Sequence, residues 1–296
     1  MTLSICIEAV QFTKEYTNLR QLTDALYMIA RHACDVKVAE VVVIGEGEAS
    51  LKVAAILQYF ITPGYLVRET FKGAWKRGLD KNIFSEARKC PPIRSLKCLK
   101  PWKREDNGSG NSNGNGNYFR EGVAIIRTIR RGRTSSGKVA RLNVKDRTTE
   151  WVNVGLGNSL KLENERVPFG VRVTVEVLGE EGKLGRLVSS KTAWGYCGYV
   201  VRGATDAAGV FSGSGAVAGE DGYSKVIGIK GKSTDTSTTT TISSTLPELN
   251  SDDAVLIAVN TLSELWDSRV ETCSFLVADA CVAGIALIAT ARSAVV

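Results

Sequence analysis

The stretch Val255-Leu256-Ile257-Ala258-Val259 contains no polar residue, and this restricts the possible folds more than any other feature of the chain. A strand that is apolar on both faces must be covered on both, as in a parallel sheet flanked by helices. Leu3 to Val10 and Ala39 to Ile44 read as further strands. Leu19, Leu22, Leu26 and Ile29 mark one face of a helix between them. A second helix runs through Leu51, Ala54, Ala55, Leu57 and Tyr59 and stops before Pro63-Gly64. Strands and helices alternating in this way predict an α/β layer with parallel strands. With 296 residues, 44% of them hydrophobic, the chain has room for two domains, or for one with a large insertion.

The pattern changes after about residue 90. NGSGNSNGNGN (107–117) is low-complexity and offers no side chains that could pack, so it reads as a flexible surface loop. Beyond it, GVAIIRTI, KVARLNV, EWVNVGL and GVRVTVEVL are short strands separated by turn residues, which predicts a small OB-like barrel. The α/β pattern resumes with GYVVRGA, YSKVIGI and VLIAV. It ends in an apolar stretch from Val277 to Ala291 that contains Asp279 and is too short to span a bilayer, so a buried core helix is expected there. The expected division is residues 1–90 and 189–296 as two halves of one α/β domain, 91–117 as a basic and Gly/Asn-rich linker, and 118–188 as a barrel insertion.

Charge is unevenly spread within a net +7. From Arg68 to Arg104 there are twelve Lys/Arg against three acids, and from Phe119 to Arg147 nine against two. Such asymmetry favours a polyanionic partner, nucleic acid above all. Arg120, Arg127, Arg130, Arg131, Arg133, Lys138 and Arg141 are interleaved with the barrel strands. They are the candidate phosphate contacts, with Tyr118, Phe119 and Trp151 as possible stacking faces for single-stranded RNA.

Other chemistries are disfavoured. Seven cysteines with no CxxC pair, and one histidine, His32, within a helical pattern, argue against a zinc site and against a disulfide framework. The thiols are therefore expected to be reduced, inside a cell, with no membrane partner and no metal. No GxSxG, P-loop or HExxH motif occurs. GEGEAS (45–50) stands where a dinucleotide fingerprint would, but Ser50 replaces the third glycine and Glu46 and Glu48 would repel a pyrophosphate. It reads as an ordinary strand-to-helix turn.

YFREGVAI, WVNVGL, VPFGVRVTVEV, GRLVSS and GYCGYVVRGA, in that order, with ILQYFITPGYL and GYSKVIGIKGKS, resemble the SPOUT-class RNA methyltransferases of archaea and eukaryotes that carry an OB-like insertion. The resemblance extends over nearly the whole chain. It implies a SPOUT-type knotted parallel sheet with helices on both faces, interrupted by the barrel. It also implies a C-terminal trefoil knot, dimerisation beside the knot, and S-adenosylmethionine as cofactor. By the same resemblance Gly228, Asn260, Thr261 and Thr272 occupy cofactor-loop positions, and Arg202 is the candidate for handling the RNA. The family's Gly-Gly turn after the 255–259 strand is here Asn260-Thr261, and the stretch after Thr272-Cys273 has no basic residue. Glycine permits a positive φ and close ligand approach, whereas β-branched threonine resists both.

The expected function is RNA binding by a methyltransferase-like protein with weak or absent catalysis. It would act in ribosome biogenesis on the large-subunit precursor, with ribosome-assembly factors and as a homo- or heterodimer with a related SPOUT protein. The expected compartment is the nucleus and nucleolus, with the mitochondrion as alternative. The competing expectations are an active S-adenosylmethionine-dependent rRNA methyltransferase and a protein-only assembly scaffold.

Overall fold

The computed structural model of the chain describes residues 2–76, 78–103, 118–125, 148–178, 183–212, 222–231, 253–259, 268–272 and 278–286. The chain divides into two compact units. One is made of Met1–Ile61, Ala74–Leu96 and Gly198–Val296, the other of Thr62–Gly73 and Lys97–Cys197.

In chain order the strands are β1 (Thr2–Glu8) and β2 (Glu40–Ile44), then β3 (Trp102–Lys103), β4 (Tyr118–Ala124), β5 (Thr148–Thr149), β6 (Trp151–Asn153), β7 (Leu160–Leu162), β8 (Val167–Pro168), β9 (Arg172–Leu178) and β10 (Leu184–Val188), and last β11 (Val200–Ala204), β12 (Lys225–Gly231), β13 (Ala254–Val259) and β14 (Ser268–Thr272). The first unit holds a six-stranded sheet of order β11-β2-β1-β13-β12-β14. Every pairing in it is parallel. The parallel layer expected from the apolar runs is therefore present. Ile5, Ile7, Val41, Val43 and Ile257 are fully buried, and so are Cys6, Val42, Leu256 and Ala258. Successive residues of a strand point to opposite faces, so the sheet is covered on both. Val210 and Phe211 of the short helix Ala207–Ser212 close one of those faces.

The helices follow the expected periodicity. α1 (Ala9–Glu15) comes directly after β1, so the strand is shorter than the Leu3–Val10 reading. Ala9 and Phe12, one helical turn apart, are both fully buried, which draws the backbone into a helix there. α2 (Leu19–Asp35) buries Leu22, Leu26, Ile29 and Ala33, and the Asn18 side chain caps it by accepting from the Arg20 N–H. α3 (Gly47–Phe60) begins right after the GEGEAS turn and buries Val53, Ile56 and Leu57. In the C-terminal part, residues 278–286 are helical, and Ala278, Ala280, Cys281 and Ile285 are buried. A Cβ on Gly284 would lie 2.7 Å from Ile229, so the missing side chain is what lets this helix approach β12.

The second unit is a closed five-stranded barrel. β4-β6-β7-β10-β9 closes through the β4–β9 pairing, and β3 extends the edge beside β6. All neighbours are antiparallel except β7 and β10. Its strands, taken as first to fifth in sequence, run first-second-third-fifth-fourth around the barrel, an OB-like order. Ala124, Val152, Val154, Leu160, Leu162, Val175 and Val177 fill the interior. β5 and β8 form a separate two-stranded ribbon. No helix among the described residues is long and apolar enough to cross a membrane.

Candidate functional site

In an open parallel sheet, ligands are taken up outside the carboxyl ends of the strands. In the first unit two of the positions singled out from the sequence, Gly228 and Thr272, lie on the adjacent strands β12 and β14. Gly228 lies in β12, buried, in register with Ala258 of β13 and Arg269 of β14. β14 ends at Thr272, opposite Gly231. β13 ends at Val259, whose register partners are Ile7 of β1 and Ile229 of β12. Asn260 and Thr261 follow directly in the chain and lie outside the described residues. β13, β12 and β14 are adjacent and parallel, so their carboxyl ends lie at the same end of the sheet. The segment between β12 and β13, residues 232–252, also lies outside the described residues.

Arg202 sits on β11, with β2 and β1 between it and β13, and all three of its guanidinium nitrogens donate to acceptors of the protein. Nε donates to Glu40 Oε1 at 2.7 Å and Nη2 to Oε2 at 3.3 Å. Nη1 donates to the Gly209 carbonyl at 2.9 Å, and Nη2 to the Val210 carbonyl at 2.9 Å and to the Tyr223 hydroxyl at 3.3 Å. Tyr223 in turn donates to Glu40 Oε2 at 2.6 Å. Burial alone would lower the Arg202 pKa, but hydrogen bonding to Glu40 and its charge raise it on balance. Burial first, then the hydrogen bond to Glu40, push the Tyr223 phenol up. The guanidinium therefore stays charged and the phenol neutral, and the cluster fastens the Ala207–Ser212 helix to the sheet edge. Glu40 and Tyr223 were not foreseen from the sequence. The available signal was an acid opening an otherwise apolar strand, which must be paired if buried.

The residues present fit S-adenosylmethionine only in part. Gly228 keeps the glycine of the family pattern, but it lies buried within β12, between β13 and β14. The Asn260-Thr261 turn lacks the glycines that would bring backbone onto the cofactor.

In the barrel unit, Arg120 is the one described member of the basic set. Arg127, Arg130, Arg131, Arg133, Lys138 and Arg141 lie outside the described residues. Arg120 Nε donates to the Val154 carbonyl at 2.9 Å, and its guanidinium carbon stands 4.5 Å from the Tyr65 ring centroid. Tyr65 donates to the Glu121 carbonyl at 3.2 Å, and burial pushes its pKa up to about 12. Gly155, at φ +73°, closes over this ring: a Cβ there would meet Tyr65 at 2.3 Å. Of the aromatic residues considered for stacking, Phe119 is buried and packs edge-on against Trp194. Tyr118 packs against the barrel core. Trp151 is half-buried.

Beneath Arg120 lies a second buried carboxylate. Glu121 accepts from Arg172 Nε at 2.7 Å, from Trp194 Nε1 at 2.9 Å and from the Thr174 hydroxyl. Arg172 Nη2 also reaches Cys98 Sγ at 3.8 Å. Hydrogen bonding from the Cys197 thiol, assisted by Arg172, holds the Cys98 thiol below its ordinary pKa against the opposing effect of burial. The described cysteines are free thiols. His32 places Nδ1 2.8 Å from the Met28 carbonyl, an intrahelical contact away from either cluster. No group of His, Cys, Asp and Glu among the described residues could hold a metal ion.

A family model described as "Putative RNA methyltransferase" matches residues 2–272, a range that takes in both the parallel sheet and the barrel. The chain is 27% identical over 203 residues to the putative methyltransferase YMR310C of Saccharomyces cerevisiae, covering 65% of this chain and 56% of that protein. It is 27% identical over 193 residues to the putative methyltransferase YGR283C of the same yeast, covering 60% and 48%. The chain thus spans about half the length of the curated relatives it matches. By the extent of the family match, the chain belongs to the putative RNA methyltransferase family.

Proposed function

We propose that the protein is an RNA-binding, SPOUT-type methyltransferase-like subunit that is catalytically weak or inactive. It acts in ribosome biogenesis on the large-subunit RNA precursor, in the nucleolus, with ribosome-assembly factors and as one half of a knotted dimer with a related SPOUT protein. The observation that carries this reading is the position of Asn260-Thr261. They follow β13, whose carboxyl end lies between those of β1 and β12, where backbone would have to approach the cofactor. A β-branched residue resists the positive φ that such a turn uses. Arg202 supports the same reading, because its guanidinium is tied to the Glu40 carboxylate and to the Gly209 and Val210 carbonyls. Retention of the apolar strand core beside an altered loop is what a structural subunit requires.

The test is calorimetric titration of S-adenosylmethionine into the purified chain, alone and with its co-purifying partner. The expected result is no saturable binding by the isolated chain, and gain of binding in Asn260→Gly/Thr261→Gly. Micromolar affinity in the unaltered, monomeric chain would replace this reading with the second one, an active rRNA methyltransferase, which the retained glycine at position 228 favours. The RNA component is tested separately. Neutralising Arg130, Arg131 and Arg133 together is expected to flatten the log–log salt dependence of RNA binding by about 2, at about 0.7 per phosphate contact on a single strand. An unchanged slope would mean that those side chains do not meet phosphate.

A further inference from the structure

The barrel segment of the second unit runs from Lys97 to Cys197, and a cysteine stands at each end of it. Cys98 lies in the short turn Lys97–Leu99, and Cys197 follows the helix Ser190–Trp194. They are 99 positions apart in the chain, yet the Cys98 thiol donates to the Cys197 carbonyl at 3.4 Å. The two thiols are also within hydrogen-bonding reach of each other. The flanking residues are close as well: a Cβ on Gly198 would lie 3.7 Å from the Leu96 side chain. The fold thus brings the entrance and the exit of the barrel segment together and places a sulfur on each.

Packing alone does not explain these two residues. A buried cysteine ordinarily behaves as a small, inert hydrophobe. Cys6 and Cys281 fit that description: both are fully buried, and burial pushes both thiols up to about 12. Cys98 is equally buried but differs in its surroundings. Arg172 Nη2 stands 3.8 Å from its sulfur, and together with the Cys197 thiol it favours the anion enough to outweigh burial. Cys197 is half-buried and shifts the other way, because its hydrogen bond to Cys98 and its burial both retain its proton. The pair therefore favours negative charge on the enclosed sulfur and a proton on the one nearer solvent. A cation beside one thiol and a second thiol within reach separate redox-active cysteines from structural ones.

We propose that Cys98 and Cys197 are a modification site, a dithiol that hydroperoxide converts into a reversible disulfide. Cys197, the more exposed sulfur, meets the oxidant. Its proton passes to the Cys98 sulfur across the hydrogen bond between them, and the Cys197 thiolate attacks one oxygen of hydrogen peroxide. The O–O bond breaks, hydroxide leaves, and Cys197 becomes a sulfenic acid. Cys98 then attacks the Cys197 sulfur. The S–S bond forms as the S–O bond breaks, and the departing hydroxide takes the Cys98 proton and leaves as water. The two sulfurs together give up two electrons, which reduce the peroxide. A dithiol reductant restores both thiols by exchange, so in a reducing compartment the resting state is the reduced pair. The bond closes a long loop, the case in which a cross-link most restricts the unfolded chain.

Peptide mass spectrometry of the full chain after brief exposure to hydrogen peroxide, with the remaining thiols alkylated, tests it. The expected product is one link within the chain, between the peptides of Cys98 and Cys197. The count of free thiols falls by two from seven and is restored by dithiothreitol. Cys90 is the internal comparison, since it too is half-buried, but burial, Asp24 and Glu86 push its thiol up. It should react on the order of tenfold more slowly than Cys197. The oxidised chain should melt roughly 5–10 °C above the reduced one. Cys197→Ser should melt like the reduced parent and lose both the link and the peroxide-induced rise. Cys98→Ser should leave Cys197 as a sulfenic acid that dimedone traps. Links among other cysteines, a link between two chains, or oxidation of Cys90 ahead of Cys197 would overturn the proposal. So would a Cys98–Cys197 link that lowers the melting temperature, since the sulfurs would then meet only in a distorted barrel.

Discussion

Each unit holds a buried glutamate paired with an arginine, and the titratable groups beside the two pairs are shifted in opposite senses. In the sheet unit, Glu40 is 2% exposed and holds Arg202, and the arginine's remaining donors go to two carbonyls and a phenol. The phenol of Tyr223 is pushed towards its neutral form, by burial first and then by its hydrogen bond to Glu40. In the barrel unit, Glu121 is 3% exposed and holds Arg172, whose spare donor faces a sulfur. That thiol, Cys98, is drawn towards the anion, chiefly by the Cys197 hydrogen bond. The same ion pair therefore suppresses ionisation of one neighbour and sits beside promoted ionisation of the other. The difference follows from the other groups around each pair. A buried pair is a framework whose chemistry is set by the third group it meets.

The most severe way to break the comparison is to remove one carboxylate at a time. Glu121→Ala and Glu40→Ala are each expected to cost about 3–5 kcal/mol, because each leaves an arginine unpaired in a largely buried position. Denaturant unfolding measures the loss, and a cost below about 1 kcal/mol in either would show that water reaches that arginine. Next come the glycines. Gly155→Ala combines a φ of +73° with a clash on Tyr65 and should cost about 2–4 kcal/mol. Gly47→Ala in the sheet unit has the same φ of +73° but nothing within 4 Å, and should cost about 1 kcal/mol. Equal losses would mean that the Tyr65 ring moves aside freely.

Alkaline pH separates the units more gently. Cys6 in the sheet is pushed by burial from 9.0 to about 12, and Tyr65 in the barrel from 10.0 to about 12. Both pKa values are raised on folding, so the stability they contribute is complete below the unfolded values. It is lost as pH rises through the window from about 9 for Cys6, or about 10 for Tyr65, to about 12. Melting temperature should decline above pH 9, with Cys6→Ala flattening the earlier part of the decline and Tyr65→Phe the later part. A decline that both variants leave untouched would assign it to other groups. The smallest effect is expected from deleting 107–117. A Gly/Asn/Ser tract has no apolar side chain to lose, and loop closure depends only weakly on length. A melting shift of several degrees would show that the tract is held.

The parallel layer and the barrel were legible because their signals are local. Unbroken apolar runs such as 255–259, helical spacing from Leu19 to Ile29, and short strands with turn residues between them each reveal an element within a few residues. Strand order was not legible. β13 lies between β1 and β12, yet any of these apolar strands would satisfy the same neighbours, so composition does not choose among them. The site was only partly legible for a related reason. Arg202 was singled out, but its partners lie 162 and 21 residues away along the chain, at Glu40 and Tyr223, and no periodicity joins them. Arg120 was read as a phosphate contact from its charge, and only the structure shows its guanidinium folded onto Tyr65.

The central position of β13 also affects how the chain is made. β1 finds β2 early in synthesis, but its other neighbour comes from residues 254–259. At about 5–20 residues per second, the ribosome needs roughly 10–50 s to supply it. During that interval one flank of a largely buried strand is an unpaired edge, open to any other strand it meets. The barrel's strands follow one another closely enough to pair as they emerge. The nascent sheet therefore depends on a holding chaperone or on fast completion, and slowing translation downstream of the barrel should raise aggregation of the full chain while leaving released barrel-length fragments no more aggregated.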